Sequence, residues 1–125
     1  MKVSEHLIQA AAFEEIRRRA IKDWRYRLIY AVPNGGHRHP IVARKLRAEG
    51  VTAGIWDILV DIPISPFPGM RIEVKAGRNT LTPDQTLMGK LYLRAGYALA
   101  VCRTSEEILT MITNYLNQKM HQRAA

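Results

Sequence analysis

The sequence predicts an α/β sandwich: a mixed four-stranded sheet with helices on its faces. Three observations lead there. Segments with apolar residues at helical spacing alternate with short apolar runs of strand length. Clusters of Gly and Pro punctuate the joins. The resulting order, α-β-α-β-β-α-β-α, is that of an α/β layer architecture.

The first helix is expected from Ser4 to about Lys22. Ser4 can cap it, and Leu7, Ile8, Ala11, Ala12 and Ile16 recur at helical spacing. Leu28 to Val32 is a short apolar strand ending at the turn "PNGG", Pro33 to Gly36. A basic helix over Pro40 to Glu49 is stopped by Gly50. Two strands follow, Ile55 to Ile62 and Met70 to Ala76. Between them "PISPFPG" must be a loop, because its prolines cannot sit inside a sheet. Leu81 to Ala95 is helical and stopped by Gly96; Tyr97 to Cys102 is the fourth strand. Ser105 to about Gln118 closes the chain as a helix with Ile108, Met111, Ile112 and Tyr115 on one face.

With 125 residues and 47% apolar content, the chain is expected to form one domain over 1–125, its core spanning about 4–118. The one cysteine, Cys102, excludes an intramolecular disulfide and a cysteine-based zinc site. Its apolar surroundings predict a buried, reduced thiol. Glu5 and His6 interrupt any apolar leader, and no segment approaches the roughly 20 apolar residues of a membrane span. A cytoplasmic protein with no membrane partner is therefore expected. Nineteen Lys and Arg against eleven Asp and Glu leave a net charge of +8. Such a surplus on a small domain is the electrostatic footprint of a polyphosphate partner, nucleic acid first.

The chemistry concentrates in the two central strands. Side chains alternate along a strand, so Arg71, Glu73 and Lys75 share one face of "RIEVKAG" while Met70, Ile72, Val74 and Ala76 share the other. In "IWDILVDI", Asp57, Leu59 and Asp61 share a face, opposite to Trp56, Ile58, Val60 and Ile62. A hairpin about the Pro-rich loop brings Asp57 nearly opposite Lys75. Glu73 then lies on the diagonal, roughly 7–8 Å away at Cα and within reach of a shared ion. Two carboxylates beside a lysine suit phosphodiester hydrolysis, since Mg²⁺ takes oxygen ligands, keeps several waters and activates one of them. The competing reading is a solvated strand face with an Asp57–Lys75 ion pair.

Glu5 adds weight to the first reading. It lies along the same helical stripe as Ile8, Ala12 and Ile16, and a carboxylate aimed at a core needs a partner or an ion. Its plainer reading is a first-turn acid favoured by the helix dipole. "TPDQ" forms a capping box, with Thr82 as N-cap, Pro83 at N1 and Gln85 at N3. Gln85 also shares a face with Met88 and Tyr92, so it can cap the helix or reach the site. His37 and His39 flank Arg38 and can meet phosphate. Asn34, His37, Arg38, Arg44, Lys45 and Arg47 are the candidate nucleic-acid contacts. The basic run "RRRAIKDWRYR" is a further one, and for all of these the plain alternative is a solvated face.

In order, "SEHLIQ", "VPNGG", "GVTAGIWDILV", "RIEVKAG", "LTPDQ" and "GYALAVCRTSEEILTMITNYL" resemble the VRR-NUC domain, a branch of the PD-(D/E)xK nuclease superfamily. The resemblance covers about residues 4–116. It implies a restriction-endonuclease-like sandwich and a Mg²⁺- or Mn²⁺-dependent endonuclease. Asp57 and Glu73 would be the central metal ligands, with the Val74 carbonyl and Glu5 as further ones. Lys75 would be the catalytic lysine and Gln85 the helix glutamine. Stand-alone members of this kind resemble Holliday-junction resolvases, so a homodimer cutting branched DNA is implied. Trp56 stands where the family often has proline. The alternatives are a sequence-specific restriction-type endonuclease and a catalytically silent nucleic-acid-binding module on the same fold.

Overall fold

The computed structural model describes residues 4–33 and 39–118. Helix α1 spans Glu5–Arg19, and the Ser4 hydroxyl accepts from the Leu7 amide at its start. A 3-10 turn over Trp24–Leu28, capped by Asp23, leads into strand β1, Ile29–Ala31. Helix α2 covers Pro40–Ala48, β2 Ile58–Val60 and β3 Met70–Val74. Helix α3 covers Pro83–Arg94, β4 Ala98–Cys102 and α4 Ser105–Leu116. Every expected element forms, and the 3-10 turn is the one addition.

The strands lie in the order β1-β2-β3-β4. β1 pairs antiparallel with β2 and β2 with β3, while β4 runs parallel to β3. A parallel neighbour needs a crossover, which α3 supplies. Ile58, Val60, Met70, Ile72, Val74, Ala98 and Cys102 form the buried face of the sheet. They pack with Ile8, Ala12, Phe13 and Ile16 of α1 and Ile108, Ile112, Tyr115 and Leu116 of α4. The Tyr115 hydroxyl, buried there, donates to the Ile62 carbonyl at 2.5 Å. Arg19 falls on the apolar stripe of α1 without leaving a stranded charge. Its guanidinium donates to Glu15, the Tyr26 hydroxyl and Thr113 Oγ1, and so fastens α1 to the 3-10 turn and α4. The thiol of Cys102 is buried as expected, and burial pushes its pKa up to about 12.

The register of β2 and β3 differs from the expected one by two residues. Ile58 pairs with Ile72 and Val60 with Met70, so the same ladder carried one step further sets Asp57 opposite Glu73 rather than Lys75. The loop explains the difference. Beyond Val60 and Met70 the next bridge joins Ile64 to Phe67, with Asp61, Ile62 and Pro63 on one side against Pro68 and Gly69 on the other. The hairpin is therefore asymmetric. A two-residue slip preserves which side chains share a face, so Asp57, Glu73 and Lys75 still converge.

Strand β2 is also shorter than expected. It begins only at Ile58 because the side chain of Asp57 takes the Val74 amide, at 2.9 Å, where the ladder would otherwise continue. Alternation lapses there too. Trp56 does not join Ile58 and Val60 in the main core; it is buried against α3, edge-on to Tyr92. Among the described residues, no helix is long and apolar enough to cross a membrane.

Candidate active site

The five polar side chains of the site are delivered by four elements. Asp57 stands at the entrance to β2, Glu73 in β3, Lys75 just past β3, Gln85 in the first turn of α3 and Glu5 in the first turn of α1. The strand residues point away from the main core, toward α3. On that side of the sheet Arg71 lies under the rings of Tyr97 and Tyr92, with centroid distances of 4.2 and 5.6 Å.

Glu73 is the centre of the constellation, and only 1% of it is exposed. Its Oε2 accepts from Gln85 Nε2 at 3.0 Å and lies 3.5 Å from the Lys75 ammonium. Its Oε1 is buried and accepts from no donor, alone in that respect among the side-chain polar atoms of the described residues; Glu73 and Asp57 share a side-chain hydrogen bond when the pair carries a proton. Burial, reinforced by the neighbouring Asp57 carboxylate, pushes Glu73 up to about 8, against the pull of Lys75. Burial raises Asp57 as well, opposed by the Val74 amide it accepts from. Two facing carboxylates in a low-dielectric site resist ionising together, so without a cation the pair retains a proton near neutrality.

Gln85 performs both of the tasks its sequence allows. Its Oε1 accepts from the Thr82 amide while the Thr82 hydroxyl accepts from the Gln85 amide, which completes the capping box. The remaining amide nitrogen is thereby aimed at Glu73. Glu5 reaches the same region, where its Oε2 accepts from the Ala76 amide at 3.3 Å. A cavity of about 520 Å³ is lined by Glu5, Asp57, Glu73 and Gln85, with Arg47 of α2 at its wall.

Among the described residues, no three Asp, Glu, His or Cys side chains gather tightly enough to be a complete metal-binding set. The donors fit a hard cation of modest protein ligation nonetheless. Two carboxylates with raised pKa values and one unsatisfied buried oxygen suit an ion that brings its own waters. Glu5 stands at the rim, held by the Ala76 amide. Val74 meets Asp57 through its N–H, which donates to Asp57 Oδ2.

The basic candidates divide. Arg44, Lys45 and Arg47 are exposed on α2. Asn34, His37 and Arg38 lie outside the described residues. His39 has a structural task, since its Nδ1 accepts from the Ile41 amide and caps α2.

Sequence reasoning missed the part played by Trp56. Its Nε1 donates to the Gln85 carbonyl at 2.9 Å, and its ring lies where a Cβ on Gly89 would come within 2.8 Å. The signal was present, because a glycine inside a helix costs about 1 kcal/mol relative to alanine and marks a close approach. Gly54 does similar service. A Cβ there would meet the Asp84 carbonyl at 2.5 Å, so the loop before Asp57 can press against the start of α3.

The topology and the polar cluster together define an α/β fold of the restriction-endonuclease type. A solved structure described as "VRR_NUC domain protein" shares it, with a TM-score of 0.78 and 24% sequence identity. The match covers 94% of this chain and 91% of that one, so the two share a fold over nearly their whole lengths. No family model matches the sequence, and no curated protein matches it either.

Proposed function

We propose that the chain is a divalent-metal-dependent DNA endonuclease acting on branched DNA such as Holliday junctions. The observation that carries this reading is the unsatisfied, buried Glu73 Oε1 beside Asp57, with Lys75 and Gln85 fixed around the same carboxylate. Such a cluster is costly to fold unless a ligand repays it. The VRR-NUC fold and the basic surface agree with a nucleic-acid substrate.

Asp57 and Glu73 would hold Mg²⁺ or Mn²⁺, with Glu5 and the Val74 carbonyl as further oxygens. When bound, the cation supplies Lewis-acid activation of water and phosphate. The chain's own residues do the rest. Gln85 pins one oxygen of Glu73 and leaves the other presented. Lys75, only 6% exposed, sets a positive charge where negative charge builds on the phosphate and can orient the attacking water. A homodimer suits the reading, because symmetric cutting of two strands needs two sites related by a two-fold axis.

The test is incubation of the pure protein with a four-way junction and with linear duplex, in Mg²⁺, Mn²⁺ or EDTA. Metal-dependent cleavage of the junction in preference to the duplex is expected. Cutting of both substrates at one fixed sequence would favour a restriction-type enzyme. Binding without cleavage in every metal would leave a silent binding module.

A further inference from the structure

A second and larger cavity, of about 850 Å³, runs between α1 and β1. It shares Glu5, Asp57 and Pro33 with the cavity that holds Glu73 and Gln85. The candidate active site thus stands where two clefts meet. One has Arg47 of α2 at its wall; the other follows the length of α1, from Glu5 past Gln9 and Phe13 to Arg17.

The charge of the second cleft changes along its length. Its acids, Glu5 and Asp57, sit at the end next to the site. Its far end is basic, with Arg17 on the α1 wall and Arg27 on the other. These two arginines differ from the cations around them. Arg18 and Arg19 are paired with Glu15, and Arg25 with Asp23. Arg17 and Arg27 are exposed and form no ion pair with any described residue. Arg17 lies over the Phe13 ring, 5.9 Å from its centroid, which steadies it without neutralising it. Both charges therefore stay available to an anionic partner.

The aromatic rings at this cleft are engaged elsewhere. Phe13 and Tyr26 are buried, and the Tyr26 hydroxyl accepts from Arg19. Tyr30 pairs with Leu59 and its hydroxyl donates to Asp61, which places its ring on the α3 face of the sheet. The cleft offers positive charge without a platform for bases. An unpaired strand draws much of its binding from such platforms. A duplex does not need them, since its bases are already stacked and paired, and it presents its phosphates outward.

Arg17 stands twelve residues beyond Glu5 on one continuous helix, about 18 Å at roughly 1.5 Å per residue. Phosphates of one duplex strand advance about 3.4 Å along the axis, so that length corresponds to about five steps. Resting on the nuclease reading above, we infer that a duplex arm lies along the α1–β1 cleft, where Arg17 and Arg27 hold its backbone about five steps from the scissile phosphate. The groove takes the phosphate ridge of one strand, and the rest of the duplex stays outside. Such a contact positions DNA without reading its sequence. With the exposed cations of α2 on the other side, the backbone is held on both flanks of a centre whose acids repel it.

The test uses the full chain in EDTA, with fluorescence anisotropy over a range of KCl on a labelled linear duplex, a single strand and a four-way junction. The variants are R17A/R27A and, as a charge-matched control on exposed positions of α3, K90A/R94A. Neither Arg17 nor Arg27 carries an ion pair, so R17A/R27A should melt with the wild type. Its duplex affinity should fall about fivefold or more, and its log–log salt slope by about 1.8, from two lost phosphate contacts. The loss on the single strand should be smaller. An uncharged methylphosphonate stepped along one junction arm should weaken wild-type binding about five steps from the cut, and R17A/R27A should no longer sense it there. An unchanged duplex slope, a single-strand loss equal to or above the duplex loss, losses matched by the control, or a methylphosphonate profile shared by variant and wild type would overturn the inference.

Cleavage of the junction by the wild type in Mn²⁺ maps the cut and separates this idea from the nuclease reading. Cutting with an unchanged duplex slope in R17A/R27A removes the α1–β1 track and keeps the nuclease. A lowered duplex slope in a protein that cuts nothing in Mg²⁺ or Mn²⁺ removes the nuclease and keeps the track.

Discussion

The indole of Trp56 donates to the main-chain carbonyl of Gln85 at 2.9 Å. Trp56 is the residue just before Asp57, and Gln85 is the one that grips Glu73. One side chain therefore links the start of β2 to the start of α3 and sets the spacing of the polar residues that each delivers. Gly89 makes the contact possible by having no side chain beneath the ring.

Gly89→Ala tests that linkage. The added Cβ would lie 2.8 Å from the Trp56 ring, a rigid and buried group with little room to retreat. Overpacking of this kind costs about 1–3 kcal/mol, more than the helix propensity gained from alanine. A lower urea midpoint at constant slope is expected, together with slower cleavage. Gly50→Ala makes a poor comparison because of its positive φ, so Thr86→Ala on the exposed side of α3 is the better control. A midpoint in Gly89→Ala equal to that of the control would show that the ring is not wedged.

Asp57→Ala, Glu73→Gln and Lys75→Ala should each reduce cleavage by about 100-fold or more, the scale of losing a preorganised charge at a reacting phosphate. DNA affinity in EDTA should stay within a few-fold of wild type, because the exposed basic surface is untouched. Gln85→Ala should also fall, by less, since Glu73 keeps its other partners. Wild-type rates in Asp57→Ala or Lys75→Ala would place the chemistry elsewhere.

The buried pair makes the metal-free protein sensitive to pH. Glu73 titrates at about 8 when folded and at its ordinary 4.5 when unfolded. Between those values the unfolded chain has released a proton that the folded one retains. Stability is therefore fully present below about 4.5 and declines as pH rises toward 8. Asp57, also raised, acts in the same direction. Thermal melts in EDTA from pH 5 to about 8 should show a falling midpoint, flattened in Glu73→Gln. Mg²⁺ or Mn²⁺ should raise the midpoint most at the alkaline end, because binding displaces the retained proton.

Why the sequence disclosed so much, and where it stopped, follows from the range of the forces involved. Capping is local, so Ser4 and the Thr82–Gln85 box were readable at once. Alternation is local too, and it grouped Asp57, Glu73 and Lys75 on one face. Register is not local. It depended on where the turn sits and on one extra residue in a loop with three prolines, and only the fold reveals that Asp57 faces Glu73. The start of β2 was hidden for a similar reason, since the Asp57 side chain competes with main-chain pairing across the sheet. Trp56 was misassigned because alternation was carried beyond the last paired residue.

The surface of α2 supplies the last prediction. Among its residues none is buried, and Ile41 and Val42 are 67% and 48% exposed, so packing against the rest of the chain does not account for the helix. Its cations are likewise exposed, and Arg47 turns to the cavity of the candidate active site. On the proposed nuclease reading, a basic helix beside an acidic centre would hold the phosphates that the acids repel. Each duplex phosphate released should reduce the log–log salt slope by about 0.9. R44A/K45A should lower that slope and weaken duplex binding uniformly across sequences, with cleavage at saturating DNA retained. Arg47→Ala should reduce cleavage at saturation as well, because Arg47 lines the same cavity as Asp57 and Glu73, where that reading puts the scissile phosphate. Anisotropy titrations over a range of KCl, paired with single-turnover cleavage, measure both effects. An unchanged slope in R44A/K45A would detach α2 from the DNA backbone, and equal single-turnover rates in wild type and Arg47→Ala would remove Arg47 from the site.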